Sequence, residues 1–166
     1  MFISVSLFFS CAEETLVSKD VPLDAETGVM KGITEVHNVI RREHGVPDLT
    51  WDEDMVALSE EWIEHLDANN GCIMEHNWDS PYGENLFKAN YETSNEEVVL
   101  SWASEEQYYD YDSNECQPGQ MCGHYTQVVW SSTERVGCAM KVCSTGEYLW
   151  MCNYDPAGNW VGERPY

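Results

Sequence analysis

The sequence predicts an α+β domain in which helices pack on an antiparallel sheet. Apolar residues recur at helical spacing as far as about residue 102, whereas the runs RVGCAMKVC and EYLWMCNY near the C-terminus are rich in strand-forming residues. Helices that come first and strands that come last are typical of this fold class. A chain of 166 residues suits one domain with a sizeable core.

Three helices are predicted in the first part of the domain. The first ends at Gly45 and Pro47, and its apolar stripe comprises Ile33, Val36, His37 and Ile40. The second begins at TWDE, where Thr50 and Glu53 have the spacing of a capping box, and it ends at NNG, residues 69–71. Its apolar stripe comprises Met55, Leu58, Trp62, His65 and Leu66. The third begins at a capping box of Ser94 and Glu97.

The pattern changes after residue 104. Residues 105–123 are rich in Tyr, Asp, Asn and Gly and predict a loop. TQVVW, RVGCAMKVC and EYLWMCNY predict strands, the last two joined by a turn at 144–146. On this interpretation His124 leads a strand.

Charge excludes several classes of partner. Eight basic and thirty acidic residues give a net charge of −22. We therefore expect no nucleic-acid binding and no electrostatic docking on anionic lipid. The composition favours a soluble monomer and weak binding of cations.

The N-terminus predicts export. Residues 1–11 contain an apolar, uncharged run, MFISVSLFFS, followed by Cys11, which is typical of an export signal. FFSC also resembles a bacterial lipobox, in which Cys11 would be lipidated and provide the only membrane attachment. No Lys or Arg precedes the run, and Phe8 stands where Leu is usual. A plain secretion signal is the alternative, and residues 12–28 predict an acidic flexible tether before a domain at 29–166.

The cysteines agree with an extracellular or cell-surface location. Without Cys11 six remain, an even number that predicts three disulfides in an exported domain. Six cysteines allow fifteen pairings, so the sequence leaves the pairing open. A zinc–thiolate site is the rival interpretation, and the lack of a CxxC pair disfavours it.

Among the histidines, His76 and His124 are the best candidates for a functional site. His37, His44 and His65 lie on or beside predicted helices, where core-edge or surface roles are usual. His76 precedes Glu84 in a polar segment, and Gly83 beside this glutamate permits a close approach.

Four segments carry a resemblance to a known family. In chain order they are HNVIRREHGVPDLTWD, HNWDSPYGENL, GHYTQVVW and CNYDPAGNW. They resemble the motifs of the CAP superfamily, which contains the cysteine-rich secretory proteins, the insect antigen 5 allergens and the plant pathogenesis-related class 1 proteins. The resemblance runs from about Thr34 to Tyr166, and the layout is nearest to the single-domain class 1 proteins.

This resemblance implies a three-layer α-β-α sandwich around a central antiparallel sheet. It also implies a cleft with two histidines and two glutamates, which correspond here to His76, Glu84, Glu105 and His124. Glu105 lies three residues after Trp102, and Glu106 is the adjacent alternative. The disulfides that the resemblance implies are Cys72–Cys143, Cys116–Cys122 and Cys138–Cys152.

The four cleft residues could hold a weakly bound divalent metal. Imidazoles and carboxylates together suit Zn²⁺, and the acids also tolerate Mg²⁺ or Ca²⁺. Because each imidazole must be deprotonated to bind, we expect the affinity to fall as the pH drops through about 6. Alternatively, the same residues could satisfy one another in a buried hydrogen-bonded cluster.

The favoured function is a binding module without enzymatic activity. Relatives that bind sterols or other lipids imply a small apolar ligand, with Tyr108, Tyr109 and Tyr111 as its surface. A metal-dependent hydrolase or protease is one alternative, in which Glu84 or Glu105 would act as general base, although the chain has no nucleophilic Ser or Cys motif.

A secreted defence or signalling factor is the other alternative. A plant-family pattern implies cleavage after Asp155 and release of the peptide from Pro156 to Tyr166. The same segment predicts a structural role, with a turn at residues 158–159 and Trp160 as a core anchor.

Overall fold

The computed structural model describes residues 26–166. The predicted signal, Cys11 and most of the predicted tether lie outside this range. The tether boundary at residue 28 falls within folded structure, because Glu26 is buried and its carboxylate accepts hydrogen bonds from the amides of Gly32 and Thr34.

Within residues 26–166 the chain forms four α-helices and six strands. The helices are α1 (Ile33–Glu43), α2 (Glu53–Asn70), α3 (Asn95–Ala103) and α4 (Gly123–Val128). The strands are β1 (Thr50–Trp51), β2 (Gly83–Ala89), β3 (Tyr109–Asp110), β4 (Glu115–Cys116), β5 (Arg135–Val142) and β6 (Tyr148–Asp155). Two 3-10 turns, Gly28–Met30 and Ser104–Tyr108, precede α1 and follow α3. No described helix is both long enough and apolar enough to cross a membrane.

The main sheet is mixed rather than wholly antiparallel. Its strand order is β1-β5-β6-β2, and β6 runs antiparallel to both of its neighbours, β5 and β2. The two-residue β1 runs parallel to β5, so the antiparallel prediction holds for the three long strands only. A separate ribbon of β3 and β4 lies within the segment predicted as a loop.

The predicted three-layer α-β-α sandwich is confirmed. Helix α2 packs on β5 and β6 from one side, while α1, α3 and α4 contact one another in the layer on the other side. Alternation along the strands separates two cores. One contains Ile63 and Leu66 of α2 with Leu149 and Met151 of β6. The other contains Ile33, Val98, Trp102, Tyr125, Val136 and Trp150.

Helix α2 differs from the prediction in its N-cap residue and in the face that it buries. Its N-cap is Asp52, whose carboxylate accepts hydrogen bonds from the amides of Asp54 and Met55, while Thr50 belongs to β1. The buried face comprises Met55, Ser59, Ile63 and Leu66. Leu58 and Trp62 are only half-buried and His65 is exposed, because the face that meets the sheet includes the polar Ser59, whose hydroxyl donates to the Gly137 carbonyl. The other helix ends agree well, since Gly71 caps α2 and the Ser94 hydroxyl caps α3.

The segment GHYTQVVW forms helix α4, so the strand predicted at TQVVW is wrong. Its strand-forming residues also have helical spacing, and Tyr125, Val128 and Val129 are fully buried together. Tertiary partners satisfy both ends of this short helix. Glu105 accepts hydrogen bonds from amides of the first turn, and the Arg41 guanidinium donates to the Val128 carbonyl at the other end.

Three disulfides join the pairs that the family resemblance implies. Cys138 and Cys152 are directly opposite each other in the β5–β6 ladder. Cys72–Cys143 connects the end of α2 to the end of β5, and Cys116–Cys122 closes the loop before α4. The last two disulfides lie next to the segments that carry His76 and His124.

Candidate functional site

An open cleft of about 680 Å³ contains three of the predicted site residues, His76, Glu84 and His124. His76 lies on the segment between α2 and β2, Glu84 is the second residue of β2, and His124 is the second residue of α4. A Cβ atom at Gly83 would lie 2.1 Å from Oε1 of Gln127, a cleft-lining residue of α4, so any other residue at position 83 would force this side chain to shift. The close approach predicted for this glycine is therefore an approach to α4.

The first carboxylate–imidazole pair is Glu84 with His76. Oε2 of Glu84 accepts hydrogen bonds from Nδ1 of His76 at 3.0 Å and from the Asn77 amide at 3.0 Å. The Glu84 side chain is 5% exposed and that of His76 is 42% exposed. Oε1 of Glu84 is buried and has no hydrogen-bond partner among the described residues. A buried carboxylate oxygen of this kind is costly unless a cation or donor reaches it.

The second pair is Glu105 with His124. Oε1 of Glu105 accepts from Nδ1 of His124 at 2.7 Å, and Oε2 accepts from the His124 amide at 2.9 Å and the Tyr125 amide at 3.3 Å. Burial alone would raise the pKa of Glu105, but the hydrogen bonds and charge of His124 and the two amides outweigh it and hold this pKa below its ordinary value. The adjacent Glu106 is exposed and faces His44, so Glu105 is the partner of His124.

Each carboxylate fixes the tautomer of its imidazole. A neutral histidine whose Nδ1–H donates to a carboxylate keeps a lone pair on Nε2. Within residues 26–166 neither Nε2, of His76 or of His124, has a hydrogen-bond partner. The Trp102 indole stacks beside His124 with ring centroids 6.3 Å apart, and the Asn85 side chain donates to the His124 carbonyl at 3.1 Å. His124 is thus held both at its ring and at its backbone.

The structure does not bring the four predicted metal ligands to one point. Within residues 26–166, the one group of three such side chains whose ligand atoms all lie within 4.8 Å of one another is Asp67, Cys72 and Cys143. Its two cysteines are joined in a disulfide and cannot ligate a metal. Each carboxylate instead contacts Nδ1 of its own histidine. Glu105 does not line the cleft at all.

The three other histidines have structural positions. His37 is fully buried, with Nδ1 on the Ile33 carbonyl and Nε2 on the Tyr154 hydroxyl, both at 2.8 Å. His44 packs against the rings of Tyr125 and Tyr166. His65 is exposed and stacks on Trp62.

The predicted tyrosine surface is not part of the cleft. Tyr109 packs against Tyr125, and Tyr111 stacks on Tyr166. The Arg164 guanidinium lies over the Tyr111 ring, 5.1 Å from its centroid. Tyr108 is half-buried in the 3-10 turn after α3. The C-terminal segment therefore packs on Tyr111, and the three tyrosines do not form one surface at the cleft.

The apolar rim of the cleft consists instead of Trp78, Met121 and Trp160. Their exposed fractions are 84%, 66% and 59%, which is unusual for residues of this size. The prediction of Trp160 as a core anchor is wrong, because its indole N–H donates to the Ala157 carbonyl and its ring remains at the cleft. Trp78 and Trp160 both stand within the family motifs, in HNWDSPYGENL and CNYDPAGNW. Their place in the motifs indicates that they lie near the site, but it does not indicate that their rings are exposed.

Comparison with known proteins agrees with the fold and the motifs. Residues 34–154 match the CAP, or cysteine-rich secretory protein, family. Pathogenesis-related protein 1A of Nicotiana tabacum is 44% identical over 80% of this chain and 77% of its own. Pathogenesis-related protein PR-1 of Medicago truncatula is 45% identical over 78% of this chain and 74% of its own. The solved structure titled NaASP2 with Zn²⁺ has the same fold, with a TM-score of 0.67 and 22% identity over 83% of this chain and 84% of that chain.

This chain is a member of the CAP, or cysteine-rich secretory protein, family. The secretory family and the three disulfides place it among exported proteins. The lipobox interpretation of Cys11 concerns residues outside the described range, and the plant relatives give it no support.

Proposed function

We propose that this chain is an exported, defence-related binding protein whose cleft binds a divalent cation through Nε2 of His76 and His124. The observation that carries the proposal is the pairing of both cleft imidazoles with carboxylates through Nδ1. Histidines that bind metals commonly donate their other ring N–H to a carboxylate, which orients the ring and increases its basicity. Glu84 and Glu105 would then act mainly as orienting partners.

The donor set fits zinc better than magnesium or calcium. Two imidazole nitrogens suit Zn²⁺, whereas Mg²⁺ and Ca²⁺ prefer a shell of oxygens. Among the described residues that line the cleft Glu84 has the one carboxylate, and its Oε1 has no hydrogen-bond partner, so Glu84 is the residue that would supply a third ligand atom. A bound zinc ion would supply a fixed positive charge with coordination positions left open to a ligand.

The arrangement favours binding over hydrolysis. For Glu84 or Glu105 to act as general base, one of its carboxylate oxygens must be free and within reach of a water molecule. Both oxygens of Glu105 accept hydrogen bonds, and Oε2 of Glu84 does so as well. The other oxygen of Glu84 is buried. The alternative in which a glutamate of the site is the general base of a hydrolase therefore gains no support from this geometry.

A defence-related role is inferred from the relatives. Proteins named as pathogenesis-related are 44–45% identical to this chain over about four-fifths of its length. A small apolar ligand of the cleft, as expected from the sequence, would use the rim of Trp78, Met121 and Trp160, because none of the three predicted tyrosines lines the cleft.

Isothermal titration with zinc chloride tests the metal site. We expect one main binding event for the native protein at pH 7.5, and a loss of affinity of about tenfold or more in His76→Ala and in His124→Ala. The exposed His65 lies off the cleft, so His65→Ala is the matched control and should bind zinc like the native protein. The affinity of the native protein should decrease between pH 7.5 and pH 5, since protonated imidazole cannot ligate.

Carboxylates elsewhere on the acidic surface can bind zinc weakly. Comparison of the cleft variants with His65→Ala distinguishes this background from binding at the cleft. If His76→Ala and His124→Ala bind zinc as tightly as His65→Ala, the cleft is not a metal site and the imidazole pairs only order the fold.

A further inference from the structure

We infer that the cleft also binds an organic cation, namely a ligand that presents an alkylammonium or guanidinium group. The cation would contact the indole faces of Trp78 and Trp160 and donate hydrogen bonds to Nε2 of His76 and His124. This inference rests on the proposed function in one respect, namely that the cleft is a binding site. It specifies the ligand that the cleft takes when metal is absent.

The hydrogen-bonding groups of the imidazoles select for a donor. With Nδ1 of each ring held by a carboxylate, the two Nε2 atoms are acceptors in the neutral state. The neighbouring Oε1 of Glu84 is a further acceptor without a partner among the described residues. A ligand without N–H or O–H groups in this part of the cleft would remove water from these acceptors and leave them unpaired, which weakens its binding.

The charge of the site selects for a positive donor. A carboxylate lies directly behind each imidazole, 3.0 Å from Nδ1 of His76 and 2.7 Å from Nδ1 of His124. Among the described residues that line the cleft there is no lysine or arginine. The chain as a whole carries a net charge of −22, which concentrates cations near its surface and repels anions.

The rim of the cleft offers aromatic faces on which a positively charged ligand group can stack. Trp78 is 84% exposed and packs edge-on against His76 with ring centroids 5.7 Å apart. Trp160 is 59% exposed, and the hydrogen bond from its indole N–H to Ala157 at 3.0 Å fixes its orientation. Tryptophan is the best aromatic partner of ammonium and guanidinium groups. Acceptors, negative charge and indoles thus lie at one cleft.

The other ligand classes fit less well. An anionic ligand would approach the Glu84 carboxylate that lines the cleft and the Glu105 carboxylate behind His124, with no lysine or arginine among the described lining residues to balance them. A sterol or fatty-acid chain could use the indoles and Met121, but it would cover the imidazole acceptors without pairing them. A basic peptide and a small polyamine share the required group, and the experiment distinguishes these two sources.

The test compares charged and neutral probes on metal-free protein in 150 mM NaCl. The probes are a blocked pentapeptide with one central arginine, the same peptide with citrulline in place of arginine, and spermidine. Binding is followed by titration calorimetry and by tryptophan fluorescence. Citrulline has nearly the same shape without the charge, so we expect the arginine peptide to bind at least about tenfold more tightly.

Variants then locate the binding. Trp78→Ala and Trp160→Ala should each weaken the arginine peptide about fivefold or more, and zinc should displace it from the native protein. Tyr91 is 53% exposed and lies away from the cleft, so Tyr91→Ala is the matched control for removal of an exposed aromatic ring. Tyr91→Ala should also leave zinc affinity unchanged, because Tyr91 offers no ligand at the cleft.

The outcomes are separable. Binding of spermidine but not of the peptide identifies a polyamine source, and the reverse identifies a peptide. Equal affinity for arginine and citrulline peptides, no binding of either cation, or full binding by Trp78→Ala and Trp160→Ala overturns the inference. Saturable binding of radiolabelled cholesterol that Trp78→Ala abolishes, with no binding of cations, would show an apolar ligand instead. Zinc affinity that still depends on His76 and His124 would leave the proposed metal site standing in each of these cases.

Discussion

Glu105 holds His124 through both of its oxygens. One oxygen accepts from Nδ1 of the imidazole at 2.7 Å, and the other accepts from the backbone amide of the same residue at 2.9 Å and from that of Tyr125 at 3.3 Å. A single carboxylate therefore fixes the ring of His124 and also pairs two amides at the start of α4. The orientation of this histidine and the formation of the short helix depend on the same side chain.

Replacement of Glu105 should affect the metal site and the helix together. Glu105→Gln removes the negative charge and one acceptor, so we expect zinc affinity to fall about 10- to 100-fold and the free energy of unfolding to fall by about 1–3 kcal/mol. Glu106→Gln is the matched control, because Glu106 is adjacent, exposed and turned toward His44. Calorimetric titration and urea unfolding measure the two effects. Equal zinc affinities in the two variants would contradict an orienting role for Glu105.

Arg41 is a buried cation that pairs with carbonyl groups rather than with a carboxylate. Its guanidinium donates to the carbonyls of Val128 and Trp130 at 2.9 Å and of Thr133 at 3.0 Å, and its Nε donates to Pro47. The side chain is fully buried, and this burial lowers the pKa of Arg41 to about 10. It thereby closes the C-terminal end of α4 and the turn that leads to β5.

Loss of the Arg41 guanidinium should strongly destabilise the fold. Arg41→Met leaves several buried carbonyls without a donor, so we expect the free energy of unfolding to fall by about 3 kcal/mol or more. The neighbouring Arg42 provides the control, because its ion pairs with Glu35 and Asp48 are exposed and Arg42→Met should cost less than about 1 kcal/mol. Urea denaturation of the two variants measures the difference, and similar losses would show that the carbonyls find other partners.

Much of the fold could be predicted from local sequence. The helical periodicity that starts at Ile33, the glycine stop at Gly71 and the strand residues of β5 and β6 all act within a few positions. The failure at TQVVW has a tertiary cause. Its residues suit a strand, and helix α4 forms because Glu105 and Arg41, distant in sequence, satisfy its two ends.

The sequence names the residues of the candidate site, but the geometry of the site could not be predicted from it. The motif resemblance identified His76, Glu84, Glu105 and His124, and the structure pairs them as two carboxylate–imidazole pairs. Which atoms face one another depends on side-chain direction, which motif spacing does not carry. The exposure of Trp160 was missed for a related reason, since a tryptophan in an apolar context is usually buried.

Stability should decrease in acid because His37 must stay neutral. Burial lowers the pKa of His37 to about 4 from its ordinary value of 6.5, despite the opposing hydrogen bond to the Ile33 carbonyl. Between these two values the unfolded chain binds a proton that the folded protein does not. The stabilisation is therefore fully present above pH 6.5 and is lost as the pH falls toward 4, with a maximum of about 3 kcal/mol.

Two glutamine variants isolate this contribution. The free energy of unfolding of His37→Gln should be lower at pH 7 but should change less between pH 7 and pH 4 than that of the native protein. His65→Gln should follow the native curve, because His65 is exposed. Urea unfolding at several pH values supplies the data, and parallel curves for native protein and His37→Gln would show that His37 does not titrate in this window.

The C-terminal segment beyond Asp155 is built into the fold, which bears on release of a peptide from Pro156 to Tyr166. The Thr133 hydroxyl donates to the Pro156 carbonyl at 2.9 Å, and the Ser131 amide donates to the Pro165 carbonyl at 2.7 Å. Pro165 is buried. A peptide cut after Asp155 would have to break these contacts before it could leave.

Gly158 gives a direct measure of how firmly this segment is held. A Cβ atom at Gly158 would lie 2.6 Å from Cγ of Trp130, whose ring is buried and cannot move away easily. Gly158→Ala should therefore lower the free energy of unfolding by about 1–3 kcal/mol and increase the rate at which proteases cut near Asp155. At Gly123 the nearest atom would be 3.9 Å away, so Gly123→Ala should cost almost nothing and serves as the control. Urea unfolding and limited proteolysis followed by mass spectrometry compare the two variants. Equal stability and equal cleavage would mean that the segment is only loosely attached and that release of the peptide needs no opening of the fold.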